Sequence, residues 1–252
     1  KSDTDLLNRQ PFAAGIARTL FHALPDQNES FVFGLNGRWG SGKSTLLHFV
    51  KKEIERLHEE IDNDRFEIFE FNPWMFSGQE QLQRVFLGEL FIKLGGKKGK
   101  LKNFAKKASE FIKRYVPTKS VLPDEWEESM DKILDVLGKE DPLEDIKKAV
   151  DDLLVKEKFR LYVVMDDIDR LTPDEITHVF QLVKLNANFK NTVFLLAYDK
   201  DVVVNAIEQK FKDNGERYLA KIVQIDYTLP EMLEEQVEAI FFERLDDFFK
   251  KQ

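Results

Sequence analysis

A glycine-rich turn between an apolar run and a helical pattern carries the clearest chemical signal in the chain. Gly37, Gly42, Lys43 and Ser44 fill the pattern G-x-x-x-x-G-K-[ST], which is known as the P-loop. Glycines at these positions let backbone N–H groups approach phosphate oxygens without a Cβ in the way. The lysine can then reach the β- and γ-phosphates as a point charge, and the serine hydroxyl can bind Mg²⁺. The pattern predicts a phosphate-binding site.

The residues on either side supply the context that a P-loop requires. An apolar run over 31–35 predicts a buried strand before the turn, and apolar residues at helical spacing follow it. That helix would begin near Ser44 and point its positive end at a bound anion. A chance glycine turn with a solvated lysine is the alternative, and this context disfavours it. The residues that we expect around the phosphates are Gly37, Trp39, Gly40, Ser41, Gly42, Lys43, Ser44 and Thr45.

Two adjacent aspartates at the end of a second apolar run form the next candidate site. Residues 161–165 predict a buried strand, and Asp166 and Asp167 follow it directly. Ligands of open parallel sheets lie at the carboxyl ends of the strands. Asp166 would hold Mg²⁺ directly or through water, and Asp167 would orient or deprotonate the attacking water. Helix capping is the alternative role for such an acid, but Thr172 and Asp174 suit the next helix start better.

Two further segments could complete a nucleotide site. Apolar residues recur at helical spacing from Phe12 to Phe21, just before the P-loop strand. Such a helix either closes one side of a base pocket or simply packs on the core, and the residues leave both readings open. Asp199 follows a third apolar run over 192–198. A polar group at that strand end could sense the γ-phosphate from the neighbouring strand.

Strands that alternate with helices predict an α/β fold with a parallel sheet and right-handed crossovers. We place five strands, at 31–36, 66–72, 160–166, 192–198 and 223–229. The 123 positions from Lys43 to Asp166 exceed what two strand–helix repeats of about 30 residues need. We assign the surplus, residues 96–156, to a helical insertion. The core would then comprise residues 1–95 and 157–252.

Composition narrows the class of protein. The 252 residues are 42% hydrophobic, which suffices for one large domain or two small ones. The chain has no cysteine, so disulfides and thiolate metal sites are excluded, and we expect a reducing, cytoplasmic setting. The net charge of −8 disfavours general nucleic-acid binding, and no apolar run reaches membrane-spanning length. Because the sequence starts at Lys1 and ends within a helical pattern, we expect a fragment whose partner domain lies outside it.

The segment Lys97–Lys119 differs from the rest of the chain in charge. It contains nine basic residues and one acid, Glu110, with apolar residues on one helical face. A basic amphipathic helix can bind nucleic acid, an anionic surface or an acidic partner. We rank these roles below a helix that packs on the core and exposes its basic face. The acidic helical stretch over 125–155 could pair with it.

Several segments together resemble the KAP family of P-loop NTPases. They are G-R-W-G-S-G-K-S-T (37–45), F-N-P-W (71–74), V-V-M-D-D-I-D-R-L (163–171), Y-D-K-D-V (198–202) and Y-L-A-K-I-V-Q (218–224). The resemblance covers nearly the whole chain. Trp39 within the P-loop and the F-N-P-W stretch are its most specific elements, whereas many other families share the two phosphate motifs.

The resemblance implies a three-layer αβα core with an additional strand and the sheet order 5-1-4-3-2. It also implies ATP and Mg²⁺ as ligands. Lys43 and Ser44 would bind phosphate and Mg²⁺, with Asp166 on the metal and Asp167 on the water. Many bacterial members are linked to exclusion of phage, and some animal members are membrane scaffolds. Many members have transmembrane helices where this chain has its charged insertion, so we expect a member without a membrane span.

Two arginines are candidates for contributing charge to the reaction. Arg170 matches the family pattern D-D-x-D-R and would either bridge to a neighbouring subunit or pair with Asp169. Arg217 precedes the last predicted strand, a suitable place for an arginine finger that acts on a neighbouring copy. An ordinary surface arginine is the alternative for Arg217. We therefore expect a homo-oligomer or a partner domain.

The function that we expect is a slow Mg²⁺-dependent ATPase switch, in which nucleotide state changes the association of domains or subunits. For this family, the resemblance connects such a switch with antiviral defence. The alternative is a scaffold that binds nucleotide without hydrolysing it, since Asp167 is one methylene shorter than the glutamate that is commonest in active enzymes.

Other nucleotide and metal chemistries are disfavoured. A P-loop kinase would need an arginine-bearing lid, and the insertion offers only Arg114. A GTPase would need an N-K-x-D motif downstream of Asp166, which is absent. The stretch 77–79 resembles part of an ABC signature, but it lies upstream of Asp166, on the wrong side. The four histidines lack metal-ligand spacing.

Overall fold

A five-stranded parallel sheet forms the centre of the protein. Its strands are β1 (Phe31–Asn36), β2 (Phe66–Phe71), β3 (Arg160–Met165), β4 (Thr192–Tyr198) and β5 (Ile225–Thr228). They lie in the order β2-β3-β4-β1-β5, and every neighbouring pair is parallel. The predicted fold class and the predicted order 5-1-4-3-2 are therefore confirmed. Three of the strands are shorter than predicted, β2 and β3 by one residue and β5 by three.

The structure is a computed structural model that describes most of the sheet and its flanking helices. The described residues are 5, 7–23, 30–62, 65–75, 82, 85–87, 89–90, 93–94, 150–152, 154–156, 158–186, 189–212, 214–230, 238, 241–242, 245 and 249. The basic segment Lys97–Lys119 lies outside them, as does most of the predicted insertion. At the end of that insertion, Val150 and Leu154 are helical and buried in the core of the sheet.

Helices connect the strands and cover both faces of the sheet. The described helices are α1 (Gln10–His22), α2 (Lys43–Glu60), α3 (Pro173–Gln181), α4 (Lys200–Phe211) and α5 (Gly215–Leu219). Short 3-10 turns follow β2 and β3, at Pro73–Met75 and Ile168–Arg170, and a π-helical turn, Leu182–Asn186, extends α3. Among the described helices, none is both long enough and apolar enough to cross a bilayer.

Local sequence explains where α3 begins. Thr172 accepts a hydrogen bond from the backbone N–H of Glu175, and the Glu175 carboxylate accepts one from the Thr172 backbone in return. This capping box satisfies N–H groups that the first helical turn leaves without partners. The predicted capping role of Thr172 is thus confirmed, which leaves the aspartates after β3 available for other contacts.

Two buried clusters pack on the two faces of the sheet. The first contains apolar residues of α3 and α4, and the second contains those of α1 and α2. Neighbouring strand residues alternate between them, so that Val163 of β3 belongs to the first cluster and Val164 to the second. This alternation produces three layers, with the carboxyl ends of all five strands at one edge.

Candidate functional site

The P-loop follows β1 at the carboxyl edge of the sheet and leads directly into α2. The backbone N–H of Gly37 donates to the carbonyl of Tyr198 over 3.1 Å, which fixes the start of the loop to β4. Gly42 has φ of +91°, a conformation that residues with a Cβ rarely adopt. Because Gly42 is the N-cap of α2 and has no side chain, no side-chain cap covers the first N–H groups of that helix. An uncapped helix start that follows a glycine loop is suited to binding an anion.

Lys43 lies across the loop and is 7% exposed. Its ammonium donates to the carbonyl oxygens of Gly37 and Arg38, over 2.7 and 3.3 Å. The Oδ2 atom of Asp169 lies 3.7 Å from the same Nζ atom. The structure therefore places the predicted phosphate lysine inside the loop, with a buried carboxylate beside it.

The aspartates after β3 do not all have the surroundings that the sequence suggested. Asp166 accepts a hydrogen bond from the backbone of Asp167 over 2.9 Å. Asp167 has φ of +59°, and its Oδ1 lies 2.9 Å from the Nε of Arg170. Arg170 thus pairs with Asp167 and not with Asp169, contrary to one of the two predicted alternatives. The left-handed turn at Asp167 and the 3-10 turn after it direct Asp169 toward Lys43 instead.

Arg9 is a site residue that the sequence pattern did not indicate, because residues 2–10 are mostly polar and match no motif. Its side chain is buried, and its Nη1 donates to the carbonyl of Ser41 within the P-loop. A Cβ on Gly42 would lie 2.6 Å from the same Nη1. Asp5 holds this segment by accepting from the backbone N–H groups of Arg9 and Gln10, both over 2.8 Å.

Two features of its surroundings act in opposite directions on the pKa of Arg9. Burial lowers the pKa of Arg9, and the nearby charge of Asp5 opposes that effect. Arginine remains protonated in proteins even under such conditions. The loop therefore has a second fixed cation behind it, in addition to Lys43.

Two buried oxygen atoms at the loop lack hydrogen-bond partners within the described part of the chain. They are Oγ of Ser41 and Oδ1 of Asp169. Buried polar atoms in folded proteins nearly always have a hydrogen-bond partner, so these two oxygen atoms indicate a place where a ligand completes the hydrogen bonds. A hydroxyl can donate to a phosphate oxygen, and a carboxylate can accept from a metal-bound water. The donor set therefore fits a nucleotide with Mg²⁺.

The remaining predicted phosphate-site residues lie along the same loop and helix. Ser44 and Thr45 are in the first turn of α2 and are half-buried, and Trp39 is 78% exposed at the loop. The described residues contain no cluster of three or more histidine or acidic side chains arranged to hold a metal ion.

Two other predicted site residues lie at helix starts. Asp199 is the N-cap of α4, and its carboxylate accepts from the backbone of Asp201 over 3.1 Å. Arg217 is exposed on α5, where its backbone N–H donates to Asn214 over 2.7 Å. Asp199 therefore caps α4 from the carboxyl end of β4, and Arg217 is exposed to contact with another molecule.

Asn36, at the end of β1, links this strand to β5 and to the start of α4 at the base of the loop. Its Oδ1 accepts from the backbone N–H of Lys200 at the start of α4, over 3.1 Å. Its Nδ2 donates to the hydroxyl of Thr228 at the end of β5, over 3.2 Å. Asn36 directly precedes Gly37, so the position of the P-loop depends on β5 and on the start of α4.

The side chain of Tyr198 links β4 to β5. Its hydroxyl donates to Oδ1 of Asp226 over 3.1 Å, and Nζ of Lys200 lies 3.1 Å from the other oxygen of that carboxylate. Burial raises the pKa of Tyr198, and the negative charge of Asp226 raises it further, so the hydroxyl keeps its proton. The ring fits because Gly34 on β1 has no side chain, and a Cβ there would clash with the hydroxyl.

An apolar groove lies between α1 and β5. Its volume is about 550 Å³, and residues that line it include Phe12, Ile16, Phe33, Ile225 and Tyr227. Phe12 is 48% exposed, and its ring centroid lies 6.5 Å from that of Tyr227. Because Arg9 contacts the P-loop one helical turn earlier, the Phe12 end of the groove is the end nearer the phosphate site.

Comparison with solved structures supports the same fold. The Aeropyrum pernix ORC2 protein in its ADP form has a TM-score of 0.52 at 15% identity, with 98% of this chain and 54% of that chain covered. CDC6P from Pyrobaculum aerophilum has a TM-score of 0.50 at 14% identity, with 98% and 52% covered. At these identities the likeness shows the fold alone.

Comparison with protein sequences identifies the family. The phage T7 exclusion protein of Escherichia coli (strain K12) is 28% identical, and the match covers 80% of this chain but only 30% of that protein. The family described as the KAP family P-loop domain matches residues 9–252, which include Arg9, the P-loop and the aspartates after β3. The chain therefore belongs to the KAP family of P-loop domains.

Proposed function

We propose that this domain binds ATP together with Mg²⁺ and hydrolyses it slowly, and that nucleotide state changes its association with a partner domain or a second copy. The position of Lys43 is the observation that carries the proposal. Its ammonium is held within the loop, next to a helix start without a side-chain cap and two buried oxygen atoms that have no hydrogen-bond partner among the described residues. Each of these features favours a polyphosphate with a bound cation.

The residues of the loop have separate roles in this proposal. Lys43 balances the negative charge of the β- and γ-phosphates, and backbone N–H groups of the glycine-rich loop and of the start of α2 hold their oxygens. Ser44 and Asp166 would hold Mg²⁺, which when bound neutralises charge that develops on the phosphate oxygens. Asp167 would orient the attacking water, with its carboxylate fixed by Arg170.

The α1–β5 groove offers a place for the base of the nucleotide. Phe12 lies one helical turn after Arg9, which contacts the P-loop, and its exposed aromatic ring can stack on a purine. This would assign to α1 the base-pocket role that the sequence left open. Phe12→Ala should then weaken ATP binding more than it weakens binding of inorganic triphosphate, whereas equal losses would contradict this placement.

Nucleotide binding is tested directly by titration calorimetry with Mg²⁺–ATP. Lys43→Ala should lose binding by at least about 100-fold, because the phosphates lose their buried cation. Lys52→Ala is the matched control, since Lys52 is exposed on the same helix. Equal affinities for wild type and Lys43→Ala would contradict the proposal.

A scaffold that binds ATP without hydrolysing it is the second candidate. The pairing of Asp167 with Arg170 favours it, because this contact occupies an oxygen of the proposed water-orienting carboxylate. After long incubation with ATP, the bound nucleotide is extracted and identified by chromatography. Bound ADP and released phosphate would support the ATPase, and intact ATP would support the scaffold.

Arg217 is the proposed source of charge from a neighbouring copy. It is exposed on α5, whereas Arg170 is paired within its own chain. Turnover per molecule should rise with protein concentration, and Arg217→Ala should remove that rise while Arg18→Ala, on the exposed side of α1, should not. A flat concentration dependence in wild type would contradict the finger role.

The biological setting that we propose is exclusion of phage in the bacterial cytoplasm. The name of the Escherichia coli relative supports it, although the chain spans 30% of that protein's length. Cells that express the full natural protein should restrict phage growth, and Lys43→Ala should abolish the restriction. Equal phage yields with both proteins would contradict this setting. Binding of nucleic acid or an anionic surface by Lys97–Lys119 remains a lower-ranked prediction.

A further inference from the structure

Asp169 is a third carboxylate at the P-loop, and the roles proposed above do not use it. It lies in the 3-10 turn after β3, and its side chain is 6% exposed. Its Oδ2 faces the ammonium of Lys43 at 3.7 Å. Its Oδ1 is buried and has no hydrogen-bond partner within the described residues. One oxygen of this carboxylate is therefore balanced by a cation, and the other is not satisfied.

An unsatisfied carboxylate oxygen is an unusual feature of a folded core. Leaving a buried polar atom without a partner costs about 1–3 kcal/mol, and more for charged groups. A separation of 3.7 Å is also too long for Lys43 to be a good hydrogen-bond donor to Oδ2. The carboxylate is thus poorly satisfied by the protein itself, as expected for a group that completes its contacts with a ligand.

The chemistry of the ligand limits what can satisfy this oxygen. Phosphate oxygens are acceptors with negative charge, and they would repel a carboxylate. The donors that accompany a nucleotide are the water molecules on its metal ion, because Mg²⁺ keeps several of them when it binds phosphates. Asp167 already uses its Oδ1 for Arg170, which leaves Asp169 as the buried acceptor beside Lys43.

We infer that Asp169 accepts a hydrogen bond from a water molecule on the Mg²⁺ ion of the bound nucleotide, and thereby makes nucleotide affinity depend on the metal. This inference rests on the proposed binding of Mg²⁺–ATP. It predicts that Asp169 has opposite effects on ATP affinity in the absence and in the presence of the metal. Without metal, its negative charge repels the phosphates, and with metal it attracts the hydrated cation.

The test compares ATP affinity in Mg²⁺ with ATP affinity in EDTA, measured by titration calorimetry on wild type and Asp169→Asn. The dissociation constant in EDTA divided by that in Mg²⁺ measures how much the metal strengthens binding. This ratio should fall by about 10-fold in Asp169→Asn, the usual scale for groups that contact metal-bound ligands. Affinity for metal-free ATP should be equal to that of wild type or higher. Asp174→Asn is the control, because Asp174 is 65% exposed on α3, and its ratio should match wild type.

Several outcomes would overturn the inference. Equal weakening in Mg²⁺ and in EDTA would leave the ratio unchanged, which would show that Asp169 only positions Lys43 and does not sense the metal. If Asp169→Asn does not fold, as judged by its melting curve, Asp169→Ser is smaller and also neutral, and the same fall in ratio is expected. Wild type that binds no ATP in either buffer would overturn the proposed function as well, which distinguishes the two failures.

Discussion

The ammonium of Lys43 and the Oδ2 of Asp169 lie 3.7 Å apart, and both side chains are more than nine-tenths buried. These residues are 126 positions apart in the sequence. The fold brings them together because β1 and β3 both end at the same edge of the sheet, separated only by β4. The contact joins the glycine-rich loop to the aspartates after β3 in one site.

Stability measurements on this pair should show strong coupling. Lys43→Ala leaves the Asp169 carboxylate buried without its cation, so the free energy of unfolding should fall by about 3 kcal/mol in the absence of nucleotide. The double variant Lys43→Ala with Asp169→Asn should recover at least half of that loss. Urea unfolding of the two variants, with Lys52→Ala as control, checks this. A Lys43→Ala variant as stable as wild type would contradict it.

Arg9 should contribute to nucleotide affinity through the shape of the P-loop. Arg9→Gln removes the guanidinium that binds the carbonyl of Ser41, so the loop loses a contact that fixes its backbone. We expect ATP affinity to fall about 10-fold, the equivalent of one charge-assisted hydrogen bond. Arg18→Gln, a change at an exposed position of α1, should have no effect. Equal affinities of the two variants in calorimetry would exclude this role for Arg9.

Gly34 should tolerate no side chain. Its Cβ would clash with the hydroxyl of the buried Tyr198, so Gly34→Ala should lower the free energy of unfolding by about 1–3 kcal/mol. Gly15→Ala is the opposite case, because nothing lies within 4 Å of its Cβ position on α1. That change should stabilise the protein by about 0.5–1 kcal/mol. If both variants melt at the wild-type temperature, the packing of Tyr198 against β1 is not as described.

Glu89 should make stability depend on pH. Burial raises the pKa of Glu89, so folding favours its neutral form, and the charged form destabilises the protein at neutral pH. Glu89→Gln should therefore raise the melting temperature at pH 7. The gain should shrink as the pH falls through the raised pKa of the folded state, and it should vanish below about 4.3, the ordinary pKa of glutamate, where the wild-type side chain is protonated in both states.

The control for this pH effect is Glu59→Gln, since Glu59 is exposed on α2. Melting temperatures of the wild type and both variants between pH 7 and pH 4 check the expectation. A gain for Glu89→Gln that stays constant across this range would show that the charge of Glu89 is not its cause.

The fold could be predicted from the sequence because its signals are local. Continuous apolar runs mark β1, β3 and β4, and a strand–glycine turn–helix pattern marks the P-loop. The predicted limits of β5 were less accurate than those of the other strands, because β5 is a four-residue strand at the edge of the sheet and is more exposed than the central strands.

Parts of the site could not be predicted because they depend on contacts between distant residues. Arg9 reads as one more polar residue until its side chain is seen on the carbonyl of Ser41. Arg170 pairs with Asp167 and not with Asp169 because the backbone is left-handed at Asp167, and no local sequence pattern predicted that conformation. The spacing D-D-x-D was the one available signal for Asp169, and by itself it does not show which carboxylate faces Lys43.

The central claim is that this domain hydrolyses ATP at the site built around Lys43. Its most direct test is phosphate release from Mg²⁺–ATP by the purified chain, beside Lys43→Ala and Lys52→Ala, at a temperature where all three are folded. We predict slow turnover in wild type and Lys52→Ala and none above background in Lys43→Ala. Equal phosphate release by wild type and Lys43→Ala, or none by any of the three, would contradict the claim.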